Sequence, residues 1–301
     1  MTLLTLFSSP KPFTDSHINI IQRNAIESWT HLKDVKVILI GDEEGECEAA
    51  RDLGVLHLPN VDLNPSGTPI ISSMLALARQ NSDSALLGIV NADILLFDDI
   101  TEASQICARA AKKFVLLGQR WDVEIKRPVE FSAGWQSRLR ENARREGELH
   151  RPAGSDYFIF PRTCYTDIPD FAIGRAGWDN WFIYKACAEK WGVIDATPDV
   201  MILHQNHDYR HLAGGKIHYS VPETKKNVEM AGGVAETRYT IIDSTHQLRN
   251  GKILRPRLTK KHFWRGIELF LRKIFFFLPE NKKEQIVRPQ RWIKKIRKIF
   301  N

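Results

Sequence analysis

Cysteine is scarce and scattered in this 301-residue chain. The four cysteines (Cys47, Cys107, Cys164, Cys187) form no Cys-x-x-Cys pair, which leaves no thiolate metal site or disulfide framework and points to a reducing compartment. No Gly-x-Gly-x-x-Gly follows the first predicted strand and no Gly-Lys-Ser/Thr loop occurs, so neither a standard dinucleotide site nor a P-loop is expected. No apolar run reaches the length of a membrane span. The opening residues lack a basic region before Pro10 and Pro12, so no signal peptide is expected. What is present is an ordinary globular composition, 43% hydrophobic and 26% charged, enough for one large core or two modest ones.

The net charge of +7 is unevenly placed. From Arg255 to Asn301 there are 15 Lys+Arg against 3 Asp+Glu, so a tail of about +12 follows a body of about −5.

The body is organised around Leu86 to Ile94, Leu-Leu-Gly-Ile-Val-Asn-Ala-Asp-Ile. A short branched apolar run predicts a strand buried on both faces, and ligands sit at the carboxyl ends of such strands in open α/β sheets. Read as extended chain, Asn91 and Asp93 project to the same side, where Asp93 suits a hard cation and Asn91 a neutral oxygen. A plain strand ending in a polar turn has the same letters.

Further strands are predicted at Thr2–Phe7, Val35–Ile40 and Val55–Leu58. Helices are predicted from Asp15 or Ser16 (apolar face Ile18, Ile21, Ala25, Trp29), before Leu53, and from Thr68 and Pro69 (Ile71, Met74, Leu75, Ala78). This alternation implies right-handed crossovers and a mainly parallel sheet, an α/β fold. Beyond Asp99 a helix, a strand at Phe114–Gly118, a helix near Trp135–Arg145 and a strand at Ser155–Phe160 are expected. A glycine-hinged loop, Gly174 to Trp181, then opens a helix with Trp178, Phe182 and Ala186 on one face, and strand-like Val193–Leu203 runs into His204-Gln205-Asn206-His207-Asp208.

In this order the motifs resemble the GT-A family of nucleotide-sugar glycosyltransferases over about residues 3–211. The resemblance implies a GT-A fold, a Rossmann-like, mainly parallel mixed sheet flanked by helices. It places a catalytic domain at 1–215, with a nucleotide half to about 118 and an acceptor half after it; an extension at 216–254 and a basic amphipathic helical tail at 255–301 follow. The family's Asp-x-Asp motif is matched by Asn91-Ala92-Asp93, whose Asn at the first position leaves one metal-binding carboxylate. A divalent metal, Mn²⁺ or Mg²⁺, is then expected on Asp93 and, where the family recruits a later histidine, on His204. Ser8, Pro10 and Asp42, with Asn91 and Asp93, are expected to hold a nucleoside-diphosphate sugar. UDP is favoured over GDP because an acidic Asp42 suits the uracil imide, though it also suits an ordinary turn. Arg175 and His207 are expected at the diphosphate.

Gly-Trp-Asp-Asn-Trp resembles the family's acceptor motif, with Asp179 as the preferred base, Asp156 as a second candidate, and Trp178 and Trp181 as sugar-stacking planes. A helix cap over a buried tryptophan reads equally well from these residues.

In the tail, Phe263, Ile267, Phe270, Ile274 and Phe277 recur at three and four residues among arginines and lysines. A second basic stretch sets Trp292, Ile293, Ile296, Ile299 and Phe300 among cations. Such helices suit the interface of an anionic membrane, with docking on the protein's own core or in a dimer as alternatives; nucleic acid is not expected.

The expectation is a metal-assisted, cytoplasmic glycosyltransferase at the inner face of a membrane, acting on a saccharide or lipid-linked acceptor in polysaccharide biosynthesis. Inversion or retention and homo-oligomerisation stay open. The alternative is a non-enzymatic, degenerate GT-A-like module that binds a glycan or protein partner and is tethered by its tail.

Overall fold

The computed structural model describes residues 2–153, 155–207, 221–275, 277, 278, 282 and 286, the side chain of 273 excepted. Residues Met1–Arg255 form one unit and Pro256–Asn301 a second. Strand and helix alternate from the start: β1 (Leu4–Ser8), α1 (Ser16–Thr30), β2 (Val35–Ile40), α2 (Glu46–Asp52), β3 (Leu56–Leu58), α3 (Ile71–Gln80) and β4 (Leu86–Val90). Asp15 caps α1 by accepting from the backbone N–H groups of His17 and Ile18, as its place before the apolar face predicts. Next come β5 (Ile94–Leu95), α4 (Asp99–Ala110), β6 (Phe114–Leu117), β7 (Arg120–Val123), α5 (Trp135–Glu146), β8 (Glu148–Leu149) and β9 (Tyr157–Pro161). The series closes with α6 (Trp178–Ala188), β10 (Gly192–Asp195), β11 (Ile202–Gln205), α7 (Pro222–Met230), β12 (His246–Arg249), β13 (Lys252–Leu254) and α8 (Lys260–Ile274).

Nine strands form one mixed, mostly parallel sheet in the order β13-β12-β10-β6-β9-β4-β1-β2-β3. Only β9, antiparallel between β4 and β6, and β13, antiparallel on β12, depart from the common direction. Helices cover both faces, and strand alternation sorts the core between them. Phe114 and Leu116 pack with Trp29, Ile100 and Cys107 on one face, while Val115 and Leu117 pack with Met74, Phe158 and Phe182 on the other. A smaller sheet, β5-β11-β7-β8, lies past the end of β4 with its own cluster of Leu95, Phe97, Trp135 and Leu203. The α/β class follows from this architecture.

Four local expectations are corrected. Asn91 to Asp93 form a turn between β4 and β5 rather than extended chain, closed by the Ile94 N–H donating to Asn91 O at 3.1 Å. Helix α3 starts at Ile71, because Pro69 and Ile70 are held in bridges to Leu63 and Ala172. The Val193–Leu203 stretch divides into β10 and β11, which join different sheets; Pro198 falls between them. Tyr239–Ile242, whose sequence reads as a strand paired with Lys252–Leu254 around the Asn250-Gly251 turn, is no strand: Ile241–Asp243 is a single 3-10 turn, closed by reciprocal bonds between Thr240 and Asp243. The strand that pairs with Lys252–Leu254 around Asn250-Gly251 is instead β12, His246–Arg249, with positive φ at both turn residues and the Asp199 carboxylate accepting both of their N–H groups at 2.8 Å. Asp208, His211, Ser220, where the sequence reads as the start of a helix running to Gly233, and the stretch from Trp292 to Phe300 lie outside the described residues.

Candidate functional site

The turn after β4 is fixed from beneath by α1. Trp29 Nε1 donates to Ile94 O at 2.8 Å, and Gln205 Nε2 donates to Ile21 O at 2.7 Å and to Asp93 O at 3.2 Å. Gln205 Oε1 accepts from Asn24 Nδ2 at 3.0 Å. Each buried amide is satisfied, so the turn that carries Asp93 has one arrangement.

Register then supplies the partners of Asp93. In the small sheet His204 on β11 pairs with Ile94 on β5 and with Asp122 on β7, which sets its ring between two carboxylates. Its Nε2 is 3.7 Å from Asp93 Oδ2 and its Nδ1 is 3.1 Å from Asp122 Oδ1. His207 Nε2 is 3.0 Å from the same Asp93 oxygen. Asp122 is held in turn by His150 Nδ1 at 2.7 Å and Arg120 Nε at 2.8 Å. Arg120 Nη1 continues to Asp156 Oδ1 at 2.7 Å, which Asn91 Nδ2 also reaches at 2.9 Å.

The electrostatics follow from these contacts. Burial alone would raise the Asp93 carboxyl, but His204, His207 and Lys11 outweigh it and hold it well below the usual carboxylate range. Asp122 is likewise held low against burial by His204, His150 and Arg120. Burial pulls the His204 imidazole down, and Asp93 and Asp122 together lift it above its ordinary value.

Asp93 Oδ1 is buried and finds no hydrogen-bond partner among the described residues. The ligand atoms of Asp93, His204 and His207 lie within 4.8 Å of one another. An unsatisfied anionic oxygen beside two imidazole nitrogens fits a cation: this group could hold a metal ion. Asp122, with Oδ1 3.1 Å from His204 Nδ1, stands where an outer carboxylate would orient the ring of a metal-bound histidine.

The group lies in a cleft of about 540 Å³, whose walls include Ser8, Pro10, Asn91, Asp93, Asp156, Arg175, Trp178, Asp179, His204 and His207. Two expected residues are not among those lining it. Asp42 is exposed beside α2, and Glu43 faces the cleft in its place. Trp181 is buried, edge-on to Phe171 with ring centroids 5.1 Å apart, which removes its plane from any sugar. Trp178 reaches the cleft, but its ring packs against Phe158 and Phe182, and only 6% of the residue is exposed. Ser8 Oγ donates to Val90 O at 2.6 Å. Arg175 is paired with Glu223 of α7 at 2.6 Å, and Glu223 also accepts from Thr68 and Asn64, so one acid ties the rim together.

Asp179 stands at the start of α6, after Gly177, whose φ of 108° is open to glycine and strained for other residues. Burial pushes the Asp179 carboxyl up to about 6, and the negative charge of Asp156 adds to that. The N–H groups of Asn180 and Gly177 oppose it without cancelling it.

Four residues of the site are absent from the sequence expectations: Lys11, Arg120, Asp122 and His150. Lys11 lines the cleft because Gln22 clamps its backbone, accepting from Lys11 N at 2.6 Å and donating to Lys11 O at 2.9 Å. Arg120 and Asp122 left one signal, polar residues at alternate positions of a strand-length segment. No family model matches the chain, and no curated protein matches it in sequence. Function is read from the fold and the site.

Proposed function

We propose that this protein is a metal-assisted glycosyltransferase of the GT-A type, moving a sugar from a nucleoside diphosphate, UDP before GDP, to a saccharide or lipid-linked acceptor. One observation carries the reading. Asp93, with an unpartnered buried oxygen, meets His204 and His207 at the carboxyl end of a central strand, on a cleft that also contains a carboxyl tuned to about 6. The order β3-β2-β1-β4 with an antiparallel β9 beyond β4 supports it, since it sets the cleft where the sheet changes direction. Two imidazoles and one carboxylate suit Mn²⁺ better than Mg²⁺, which prefers oxygen ligands throughout.

Asp93, His204 and His207 would hold the cation, which when bound supplies positive charge against the leaving diphosphate. Lys11 and Arg175 add cationic groups to the same cleft. Asp179 accepts the proton of an acceptor hydroxyl as its oxygen attacks the anomeric carbon and the bond to the diphosphate breaks; this arrangement inverts configuration. Asp156, oriented by Arg120 and Asn91, presents its second oxygen, Oδ2, for a sugar hydroxyl. A lipid-linked acceptor goes with work at the inner face of a membrane.

A second reading has one observation in its favour: Asn91 is bonded to Asp156 and offers no carboxylate, as expected of a degenerate module that binds a glycan or protein partner without turnover. Incubating the full chain with UDP- and GDP-sugars and Mn²⁺ separates the two. Release of nucleoside diphosphate that stops in Asp179→Asn supports transfer. No release, with or without nucleotide binding, contradicts the transferase and supports the module.

A further inference from the structure

Helix α8 is built the wrong way round for a helix in water. Arg265, Glu268 and Arg272 share one side at spacings of three and four, with Glu268 Oε2 3.1 Å from Arg265 and Oε1 3.4 Å from Arg272. These charged side chains are only 12%, 7% and 11% exposed. The opposite side carries Phe263, Phe270 and Ile274, spaced by seven and four, and they are 64%, 62% and 46% exposed. Leu258 just before the helix and Phe277 just after it are exposed at 87% and 66%. An amphipathic helix ordinarily buries the second set and solvates the first. Leaving a continuous apolar stripe in water costs free energy roughly in proportion to its area, so a stripe this long marks a contact surface.

Charge selects what covers it. Glu268 is the single acidic residue between Pro256 and Leu278, and it is buried between two arginines. The exposed charged groups beside the stripe in that span are therefore cationic: Arg257, Lys260 and Lys261, next to Leu258. A second copy of the chain would bring the same positive charge against itself. A nucleic acid would answer the charge and leave the phenylalanines wet. An anionic bilayer answers both, because its headgroups pair with the lysines while its acyl boundary takes the aromatic side chains.

We infer that the Phe263–Phe270–Ile274–Phe277 face of this segment, with Lys260 and Lys261, seats the protein on an anionic lipid surface. The inference does not depend on the transferase reading, because lipid binding is measured without nucleotide or metal.

The test is sedimentation of the full chain with vesicles of phosphatidylcholine, alone or mixed with phosphatidylglycerol. The expected result is binding to the mixed vesicles only, weakening as salt is raised. Lys260→Ala and Lys261→Ala should each weaken it about fivefold, as about 1 kcal/mol per cation near the surface implies. Phe263→Ser with Phe270→Ser and Phe277→Ser should abolish it while the circular dichroism spectrum stays unchanged, since all three positions are exposed. Failure to bind the anionic vesicles, or equal binding by the triple variant, overturns the inference. So does a concentration-dependent dimer that the triple variant dissolves, for then a second copy covers the stripe.

Discussion

Asp93 and Asp179 open onto one cleft, and their surroundings drive them in opposite directions. At Asp93 burial is outweighed by His204, His207 and Lys11, and the group is held as an anion. At Asp179 burial raises the group to about 6 against the N–H groups of Asn180 and Gly177, and the charge that adds to the rise is another carboxylate, Asp156. The difference teaches that burial alone does not assign a role; the charges brought by neighbouring strands do. A carboxylate fixed as an anion is suited to hold a cation, whereas one that changes protonation near neutral pH is suited to exchange a proton.

The largest effect that breaks this comparison is expected from Asp179→Asn. The rate of transfer should fall by about 10² to 10⁴ while UDP binding stays unchanged, as loss of a general base implies. In the unaltered protein the rate should rise with pH through about 6, as the Asp179 carboxyl gives up its proton, and pH–rate profiles of the two proteins should differ in that limb alone. Next in size, Asp93→Ala should lower metal-dependent nucleotide affinity by more than about 100-fold, since it removes a first ligand where an outer one is worth 10- to 100-fold. Asp122→Asn should lower Mn²⁺ affinity by that smaller factor of about 10 to 100, read by metal titration, because the carboxylate at His204 Nδ1 fixes the ring without touching the cation.

Much of this contrast was readable from the chain, and some of it was not. The apolar run Leu86–Val90 and the polar Asn-Ala-Asp after it located the turn, and the spacing of short apolar segments gave the parallel sheet to either side. His204 was legible as a histidine closing an apolar strand. Its partner was not, because Asp122 reaches it through strand pairing across 82 residues, and no local pattern encodes such a register; nor was His150, which meets Asp122 across 28 residues. The orientation of Asn91 was misread for a local reason: alternation of side chains holds only in extended chain, and the backbone turns there. Trp181 was misassigned because an aromatic beside an acid reads alike as a sugar platform or a core residue. Only the packing against Phe171 decides.

The smallest effect sharpens the comparison with a carboxylate outside the cleft lining. Glu46 opens α2 fully buried, and burial lifts it to about 7, with the Glu43 N–H lowering it and the Glu43 and Asp42 charges raising it. A raised carboxyl stabilises the fold in its protonated form. That contribution is complete below the unfolded value near 4.5 and is lost as pH rises through about 7. Stability should therefore fall by about 1 kcal/mol between pH 6 and 8, and Glu46→Gln should flatten that slope in denaturant titrations without changing UDP binding.

The most direct test of the central claim is calorimetric titration of UDP into the full chain with and without Mn²⁺, repeated on Asp93→Ala and His204→Ala. The account predicts binding that requires Mn²⁺ and is lost in both variants. UDP binding of equal strength without the metal, or unchanged by Asp93→Ala, would contradict it.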